Sequence, residues 1–218
     1  MGTYAAVVLA GGAARRMGGV DKPALPVGGR SMRDRVLAAV ADAAPRVLVG
    51  PAGVVPPGVR VTREDPPGGG PVTAAAAGLA LLDPATNLVA LLAADLPLLT
   101  RAAIDELLSH LAPLRHTGPA ASASGSSDVG PERLPDGACF VDADGRRQSL
   151  CGVWRVAALR AGLDRLTAER GGSLAGAPVR ALLAGLVVRE VPWSGDGPPP
   201  WFDCDTDEDV RRAEEWAR

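Results

Sequence analysis

Two uninterrupted apolar segments limit the folds that this chain can adopt. Tyr4–Leu9 and Leu88–Ala93 lack the alternation of polar and apolar residues that marks a strand with one face in water. Strands of this kind are buried on both faces, as in parallel sheets that are covered by helices. The two segments therefore predict an α/β protein with a mostly parallel central sheet and helices on both faces.

The predicted strands alternate with predicted helices along the chain, which favours the same architecture. Apolar runs predict strands at Tyr4–Leu9, Arg46–Gly50, Val59–Thr62, Leu88–Ala93, Ala138–Val141, Leu150–Trp154 and Val187–Pro192. Helical spacing and N-cap signals predict helices at about Ser31–Ala43, Val72–Leu82, Thr100–Leu111, Val156–Arg170, Leu174–Ala184 and Thr206–Trp216.

The length of 218 residues fits one domain over 1–218. Residues 113–137 are rich in Gly, Pro, Ser and Ala without periodicity. This composition predicts a flexible excursion, either at the edge of the active cleft or simply disordered.

Composition excludes several classes of partner. A net charge of −2 and an aromatic content of 3% argue against nucleic acid, whose binders need a basic surface or stacking platforms. The longest apolar stretch, Leu88–Thr100, contains Asp95 and is too short to cross a membrane. The cysteines, which are odd in number and far apart, predict three reduced thiols in or near a core: Cys139, Cys151 and Cys204. The N-terminus lacks the basic region of a signal peptide, so we expect a cytoplasmic protein.

A glycine-rich, cationic loop follows the first strand directly. Its glycines allow backbone N–H groups to approach an oxyanion, and its cations add charge, which predicts a triphosphate-binding loop. The loop matches neither of the two commonest phosphate motifs, because Gly19 and Val20 stand where a P-loop requires Lys and Ser or Thr. The residues concerned are Gly11, Gly12, Gly18, Gly19, Arg15, Arg16 and Lys22.

Asp95 follows the second apolar strand, and ligands of such sheets bind beyond the carboxyl ends of the strands. A carboxylate there either caps a neighbouring backbone group or binds a cation. Because Mg²⁺ takes one or two carboxylates together with substrate phosphates, we favour a magnesium site.

The phosphate-binding loop Leu9–Lys22 resembles the signature of the molybdenum cofactor guanylyltransferases. Four more segments resemble that family in the right order, so the resemblance spans nearly the whole chain. Arg63–Pro71 resembles its acidic second loop, and Ala93–Thr100 its metal-binding strand end. Gln148–Arg155 is similar to its acceptor-side strand, and Phe202–Asp209 to its closing segment. The resemblance implies a Rossmann-like three-layer sandwich.

The resemblance also implies roles for individual residues. Leu9, Ala10 and Gly11 contact the nucleotide, Lys22 binds its phosphates, Asp65 binds the nucleotide and Asp95 holds Mg²⁺. Asp205 stands where the family usually has Asn; it is either a second metal ligand or a surface group before Thr206. Gly50 departs from the family, which tends to have a nucleotide-contacting side chain there. Together with Arg15, a cation of the phosphate-binding loop, Lys22 and Asp95 form the predicted catalytic set.

The resemblance implies transfer of GMP from GTP to molybdopterin, with Mg²⁺ and release of pyrophosphate. The Gly11-Gly12 pair favours guanine, since cytidylyl relatives usually carry Ala at the first of these positions. The alternatives are CMP transfer to molybdopterin, nucleotide transfer to a sugar phosphate or phospholactate, and a non-catalytic nucleotide-binding protein. Both a monomer and a homo-oligomer are compatible with the sequence.

Overall fold

A seven-stranded sheet forms the centre of the protein. The computed structural model describes residues 4–11, 22–51, 53–111 and 134–218. Seven strands form the sheet in the order β5-β4-β1-β6-β8-β7-β9, and β2 and β3 form a separate hairpin. The strands are β1 Ala5–Leu9, β2 Pro26–Val27, β3 Arg30–Ser31, β4 Arg46–Val49, β5 Val59–Thr62, β6 Leu88–Ala93, β7 Gly137–Val141, β8 Arg147–Arg155 and β9 Val188–Pro192.

Strand direction determines which residues meet at each edge of the sheet. Strands β5, β4, β1 and β6 pair in parallel, and β7 pairs in parallel with β9. Strand β8 pairs antiparallel with both β6 and β7, so it runs against every other described strand of the sheet. The start of β8 therefore lies at the same edge as the ends of β1 and β6; we call this edge the C-terminal rim.

Helices cover both faces of the sheet, which confirms the predicted fold class. Helices α1 and α3 contribute to one core cluster, and α2, α4 and α5 contribute to the other. The helices are α1 Met32–Ala39, α2 Pro71–Leu79, α3 Arg101–Ser109, α4 Val156–Glu169, α5 Val179–Leu182 and α6 Asp207–Trp216, and a 3-10 helix spans Lys22–Ala24.

Strand β1 shows why an entirely apolar strand is needed at the centre. Its side chains alternate between the two faces. Ala6 and Val8 belong to the cluster with α1 and α3, while Val7 and Leu9 belong to the cluster with α2 and α4. Because each face is covered by helices, all four side chains are buried.

The N-cap signals read from the sequence are confirmed. Ser31 Oγ accepts a hydrogen bond from the backbone N–H of Asp34 at the start of α1. Thr100 Oγ1 accepts one from Ala103 N at the start of α3. Thr206 and Asp209 form a complete capping box at the start of α6.

One predicted helix is largely wrong. The sequence predicted a helix over Leu174–Ala184, but the structure has only the short helix Val179–Leu182. Gly176 adopts a φ of +70°, a conformation that a helix does not contain. Pro178 then serves as the N-cap, so the helix can begin only after it. Helix α1 also ends earlier than predicted, at Ala39 rather than Ala43.

Most of the segment predicted as an excursion, residues 113–137, lies outside the described residues. The residues that flank the gap are held together by Arg155 at the end of β8. Arg155 donates to the carbonyl oxygens of Leu111 at 3.3 Å and of Pro135 at 2.9 Å. Because β8 runs against its neighbours, these flanks lie at the edge opposite the C-terminal rim.

The cysteines and tryptophans are packing residues. Cys139, Cys151 and Cys204 are free and buried, as the sequence predicted. Trp193 and Trp201 pack against Phe140 of β7, whereas Trp216 packs on Phe202. Within the described ranges, no helix is long and apolar enough to cross a membrane.

Candidate active site

The C-terminal rim brings the first strand and Asp95 together. Leu9 pairs with Ala93, and the backbone N–H of Ala94 donates to Leu9 O at 3.0 Å. Asp95 follows at once. Its carbonyl oxygen accepts a hydrogen bond from Cys204 N at 3.3 Å, which brings the segment before α6 to the rim. The end of the first strand and Asp95 thus lie at the same edge of the sheet.

Lys22 is the centre of the charged part of the site. Its Nζ lies 2.7 Å from Asp95 Oδ2 and 2.6 Å from Asp205 Oδ1. Partial burial lowers the pKa of Lys22, but its hydrogen bonds to Asp205 and Asp95 outweigh this, and the pKa is raised above its ordinary value. Lys22 therefore stays an ammonium at neutral pH.

A further carboxylate, Asp203, is influenced by the charges of this cluster. Desolvation, and then the nearby charges of Asp205 and Asp95, raise its pKa above the ordinary value. Asp203 and Asp205 are two positions apart in a segment without helix, which is the spacing that turns side chains of an extended chain to one side. Negative charge thus accumulates around the ammonium of Lys22.

On the β4 side of β1, a carboxylate lies beside the backbone of Gly11. An ideal Cβ on Gly11 would lie 3.3 Å from Glu64 Oε1 and 3.6 Å from Glu64 Oε2, so the Glu64 carboxylate faces the Gly11 backbone. Glu64 Oε1 also accepts a hydrogen bond from Gly68 N at 3.1 Å, within the same loop. A side chain at position 11 would crowd this carboxylate.

Gly50 lies under the same backbone. Its φ of +137° and the position of a Cβ, 2.8 Å from Ala10 C and 2.9 Å from Gly11 N, both exclude a side chain there. Its N–H donates to Thr62 O at 2.9 Å, which holds the ends of β4 and β5 together. The sequence singled out Gly50 as a departure from the family, and the geometry explains why the position must be glycine in this chain.

The remaining predicted site residues differ in where they lie. Gly12, Arg15 and Arg16 lie outside the described residues, so their roles stay predictions. Asp65 is exposed in the loop after β5, beside Glu64. Leu9 and Ala10 are buried at the end of β1, so their side chains are closed to a ligand.

Sequence reasoning did not assign Glu64 and Asp203. Glu64 stands directly before Asp65, and the resemblance drew attention to Asp65 alone. Asp203 is two residues before Asp205, and that spacing was the available signal. Neither side chain has a sequence motif that distinguishes it from an ordinary surface carboxylate.

Comparisons with known proteins agree with this geometry. The family described as MobA-like NTP transferase domain matches residues 6–187. A molybdenum cofactor guanylyltransferase from Bradyrhizobium sp. (strain ORS 278) is 30% identical over 222 residues, covering 97% of this chain and 92% of that protein.

Solved structures of two kinds share the fold. One is molybdopterin-guanine dinucleotide biosynthesis protein A from Archaeoglobus fulgidus, with a TM-score of 0.64 and 18% identity, covering 96% of each chain. The other is 2-C-methyl-D-erythritol 4-phosphate cytidylyltransferase from Thermus thermophilus, with a TM-score of 0.65 and 20% identity, covering 99% of each chain.

Proposed function

Because this chain belongs to the MobA-like NTP transferase domain family, we propose that it transfers GMP from GTP to molybdopterin and releases pyrophosphate. Nucleotidyl transfer follows from the family; the nucleotide and the acceptor are the proposal. The observation that carries it is the cluster at the end of β6, where Lys22 joins Asp95 and Asp205 beside the first strand. Such a cluster provides both a cation for phosphates and carboxylates for a metal ion.

The carboxylates suit Mg²⁺, the cofactor we propose. Within the described ranges, no group of three or more His, Cys, Asp or Glu side chains is arranged to hold a metal. Mg²⁺ needs fewer, because it takes one or two carboxylates and completes its shell with phosphate oxygens and water. Asp95 and Asp205 already converge on one cation, the Lys22 ammonium, which stands in for a metal ion. These two residues are the ones that would hold Mg²⁺.

The proposed reaction is an in-line displacement. An acceptor phosphate oxygen forms a bond to the α-phosphorus of GTP as the bond to the β-phosphate oxygen breaks, which yields the dinucleotide and pyrophosphate. No side-chain base is required, since a phosphate nucleophile is ionised near neutral pH. Lys22 neutralises charge on the phosphates, and the backbone at Ala10 and Gly11 positions the nucleotide. Bound Mg²⁺ supplies further charge neutralisation at the phosphate oxygens.

Two further residues belong to this proposal from the sequence alone. Arg15 and Arg16 stand in the loop between Gly11 and Lys22. Arginine grips phosphate through two parallel hydrogen bonds, so we expect these side chains to bind the β- and γ-phosphates of the leaving group. We also expect Asp65 to contact the nucleotide.

The acceptor is proposed from the curated relative. The Bradyrhizobium protein is named a molybdenum cofactor guanylyltransferase, and the similarity covers nearly all of both chains. CMP transfer is the second candidate, because the Thermus cytidylyltransferase has the same fold at equal coverage. The proposal includes small-molecule partners only and places the enzyme in the cytoplasm, where three free thiols remain reduced.

A direct assay tests the proposal. The purified protein is incubated with Mg²⁺, molybdopterin and each of the four NTPs in turn, and pyrophosphate and the dinucleotide product are measured. We expect product with GTP and none without molybdopterin. Product with CTP alone would replace GMP by CMP transfer, and no product with any NTP would refute the proposed reaction. Asp95→Asn is the inactive control.

A further inference from the structure

We infer that Glu64 recognises the base of the bound nucleotide and that this base is guanine. The inference rests on the proposed function, because it names a specificity-determining residue of the same site. Neither the sequence motifs nor the comparisons with relatives assign a role to Glu64. The observations behind the inference are the position of the Glu64 carboxylate beside Gly11 and the absence of a side chain at Gly50.

The Glu64 carboxylate is held over the main chain that ends β1. Its Oε1 accepts a hydrogen bond from Gly68 N at 3.1 Å, which fixes the side chain within its own loop. Both carboxylate oxygens lie within 3.6 Å of the point where a Gly11 Cβ would stand. The missing side chain at Gly11 is therefore what lets a carboxylate approach the nucleotide-binding backbone.

The sheet order separates this carboxylate from the phosphate-binding cluster. Strand β1 lies between β4 on one side and β6 on the other. Lys22 and Asp95 belong to the β6 side, whereas Glu64 follows β5 on the β4 side. A nucleotide bound across the end of β1, with its phosphates at Lys22, directs its base toward Glu64.

The charge of Glu64 supports the same orientation. Among the described residues, no Lys, Arg or His lies within ion-pair distance of its carboxylate. A carboxylate repels phosphates and disfavours their binding beside it. It attracts the N–H donors of a base, which carry partial positive charge. Glu64 therefore suits the base end of the site.

Because residue 50 is glycine, no side chain at this position after β4 can contact the base. A Cβ there would lie 2.8 Å from Ala10 C, so no substitution is accommodated without moving the loop. Glu64 is half-buried, so neighbouring atoms restrict its side chain while part of it stays open to a ligand. Its carboxylate accepts a hydrogen bond from Gly68 N and can accept further hydrogen bonds from a ligand.

The chemistry of a carboxylate selects guanine. An ionised carboxylate only accepts hydrogen bonds, and its two oxygens can accept a parallel pair. Guanine presents two adjacent donors, N1–H and the N2 amino group. The corresponding edges of adenine, cytosine and uracil each present a single donor group, next to at least one acceptor, which a carboxylate repels. Glu64 thus favours GTP over the other three nucleotides.

Inosine triphosphate isolates this contact, since it differs from GTP only by lacking the N2 amino group. Binding of GTP and ITP to the full chain is measured by titration calorimetry with Mg²⁺. We expect the wild-type protein to bind GTP about tenfold or more tightly than ITP, the loss of one hydrogen bond to a charged group. In Glu64→Gln the preference for GTP over ITP should fall to about threefold or less, because the NH2 group of Gln, a donor, replaces one acceptor oxygen.

Two variants make the result specific. Glu215→Gln removes the same charge from an exposed position near the end of α6 and should keep the wild-type preference. Asp65→Asn tests the neighbouring carboxylate; if it abolishes the preference while Glu64→Gln retains it, the inference is overturned in favour of Asp65. Melting temperatures of all variants establish that each is folded.

The remaining outcomes separate this inference from the proposed function. A wild-type protein that binds GTP and ITP equally, or prefers CTP, refutes guanine recognition by Glu64 but leaves nucleotidyl transfer intact. A wild-type protein that binds no nucleotide refutes the proposed function itself, and the inference with it. Retention of the preference in both Glu64→Gln and Asp65→Asn also refutes the role of Glu64.

Discussion

The ammonium group of Lys22 lies 2.7 Å from Asp95 Oδ2 and also contacts Asp205. Lys22 thus occupies the point at which two carboxylates converge. A metal ion that uses both carboxylates must replace the ammonium, and the phosphates of a nucleotide offer Lys22 another partner. We therefore expect nucleotide and metal to bind cooperatively, because each favours the same movement of Lys22.

Replacing Lys22 tests this competition directly. In Lys22→Met the two carboxylates lose their internal cation, so we expect Mn²⁺ to bind the nucleotide-free protein about tenfold more tightly, the effect of about 1.4 kcal/mol. GTP affinity should fall in the same variant, because a phosphate-binding cation is lost. Electron paramagnetic resonance of free Mn²⁺ measures the first effect without any turnover. Equal Mn²⁺ affinity in both proteins would contradict competition at this site.

Asp95 should be indispensable for turnover. Asp95→Asn keeps the size of the side chain but removes the charge that holds Lys22 and the proposed metal, so we expect kcat/KM to fall by roughly a thousandfold. Pyrophosphate release measures the loss, and circular dichroism checks the fold. Asp164→Asn, an exposed carboxylate on α4, serves as the matched control. Substantial activity in Asp95→Asn would remove Asp95 from the mechanism.

A side chain at Gly50 should damage both stability and binding. Gly50→Ala forces a Cβ to within 2.8 Å of Ala10 C at a φ of +137°, so we expect a loss of about 1–3 kcal/mol and weaker GTP binding. Gly53→Ala is the control, because a Cβ there meets no atom within 4 Å. Urea unfolding and nucleotide titration check both variants. Similar stability of Gly50→Ala and Gly53→Ala would contradict the expected clash, because the backbone at Ala10 would then move easily to accommodate a Cβ at position 50.

The capping box of α6 should contribute to stability in a pH-dependent way. Thr206→Ala removes the cap and should cost about 1 kcal/mol at pH 7. The hydrogen bond from the Thr206 hydroxyl lowers the pKa of Asp209. A lowered folded-state pKa gives stability that is present above the unfolded value, about 3.9, and is lost as pH falls through the folded value. Urea unfolding at pH 7 and pH 3 should therefore show a smaller difference at the lower pH.

Shortening the chain at residues 113–133 should leave activity intact. Arg155 holds the carbonyls of Leu111 and Pro135 together at the edge opposite the C-terminal rim. A linker of about four Gly and Ser residues can join these flanks with little change in loop entropy, so we expect kcat/KM within about threefold of wild type. Deleting Pro66–Gly69, in the loop that carries Glu64, should instead abolish GTP binding. A large loss from the first deletion would show that the segment reaches the site.

The sheet was predictable because its strands are apolar throughout and its helices carry local cap signals. Leu88–Ala93 matches its predicted range, and Ser31, Thr100 and Thr206 cap helices as expected. Of the helix predicted at Leu174–Ala184 only Val179–Leu182 formed, since the backbone at Gly176 and Pro178 overrode the apolar spacing.

The site was predictable in part, for a physical reason. Asp95 follows a buried strand, so its position at the rim is set by the strand alone. Glu64 and Asp203 depend on how separate loops pack against each other, and sequence spacing contains little of that information. The Glu64–Gly11 contact joins residues from two loops, and it depends on the positions of β1 and β5 in the sheet.

The antiparallel direction of β8 determines which turn lies beside the candidate active site. The turn between β7 and β8, around Asp142 and Gly145, lies at the C-terminal rim because β8 starts there. Hairpin tips accept insertions and substitutions without changing the pairing of their strands. We therefore expect that changes in this turn can alter the surface that faces the rim without moving the parallel strand ends at which we propose that the nucleotide binds.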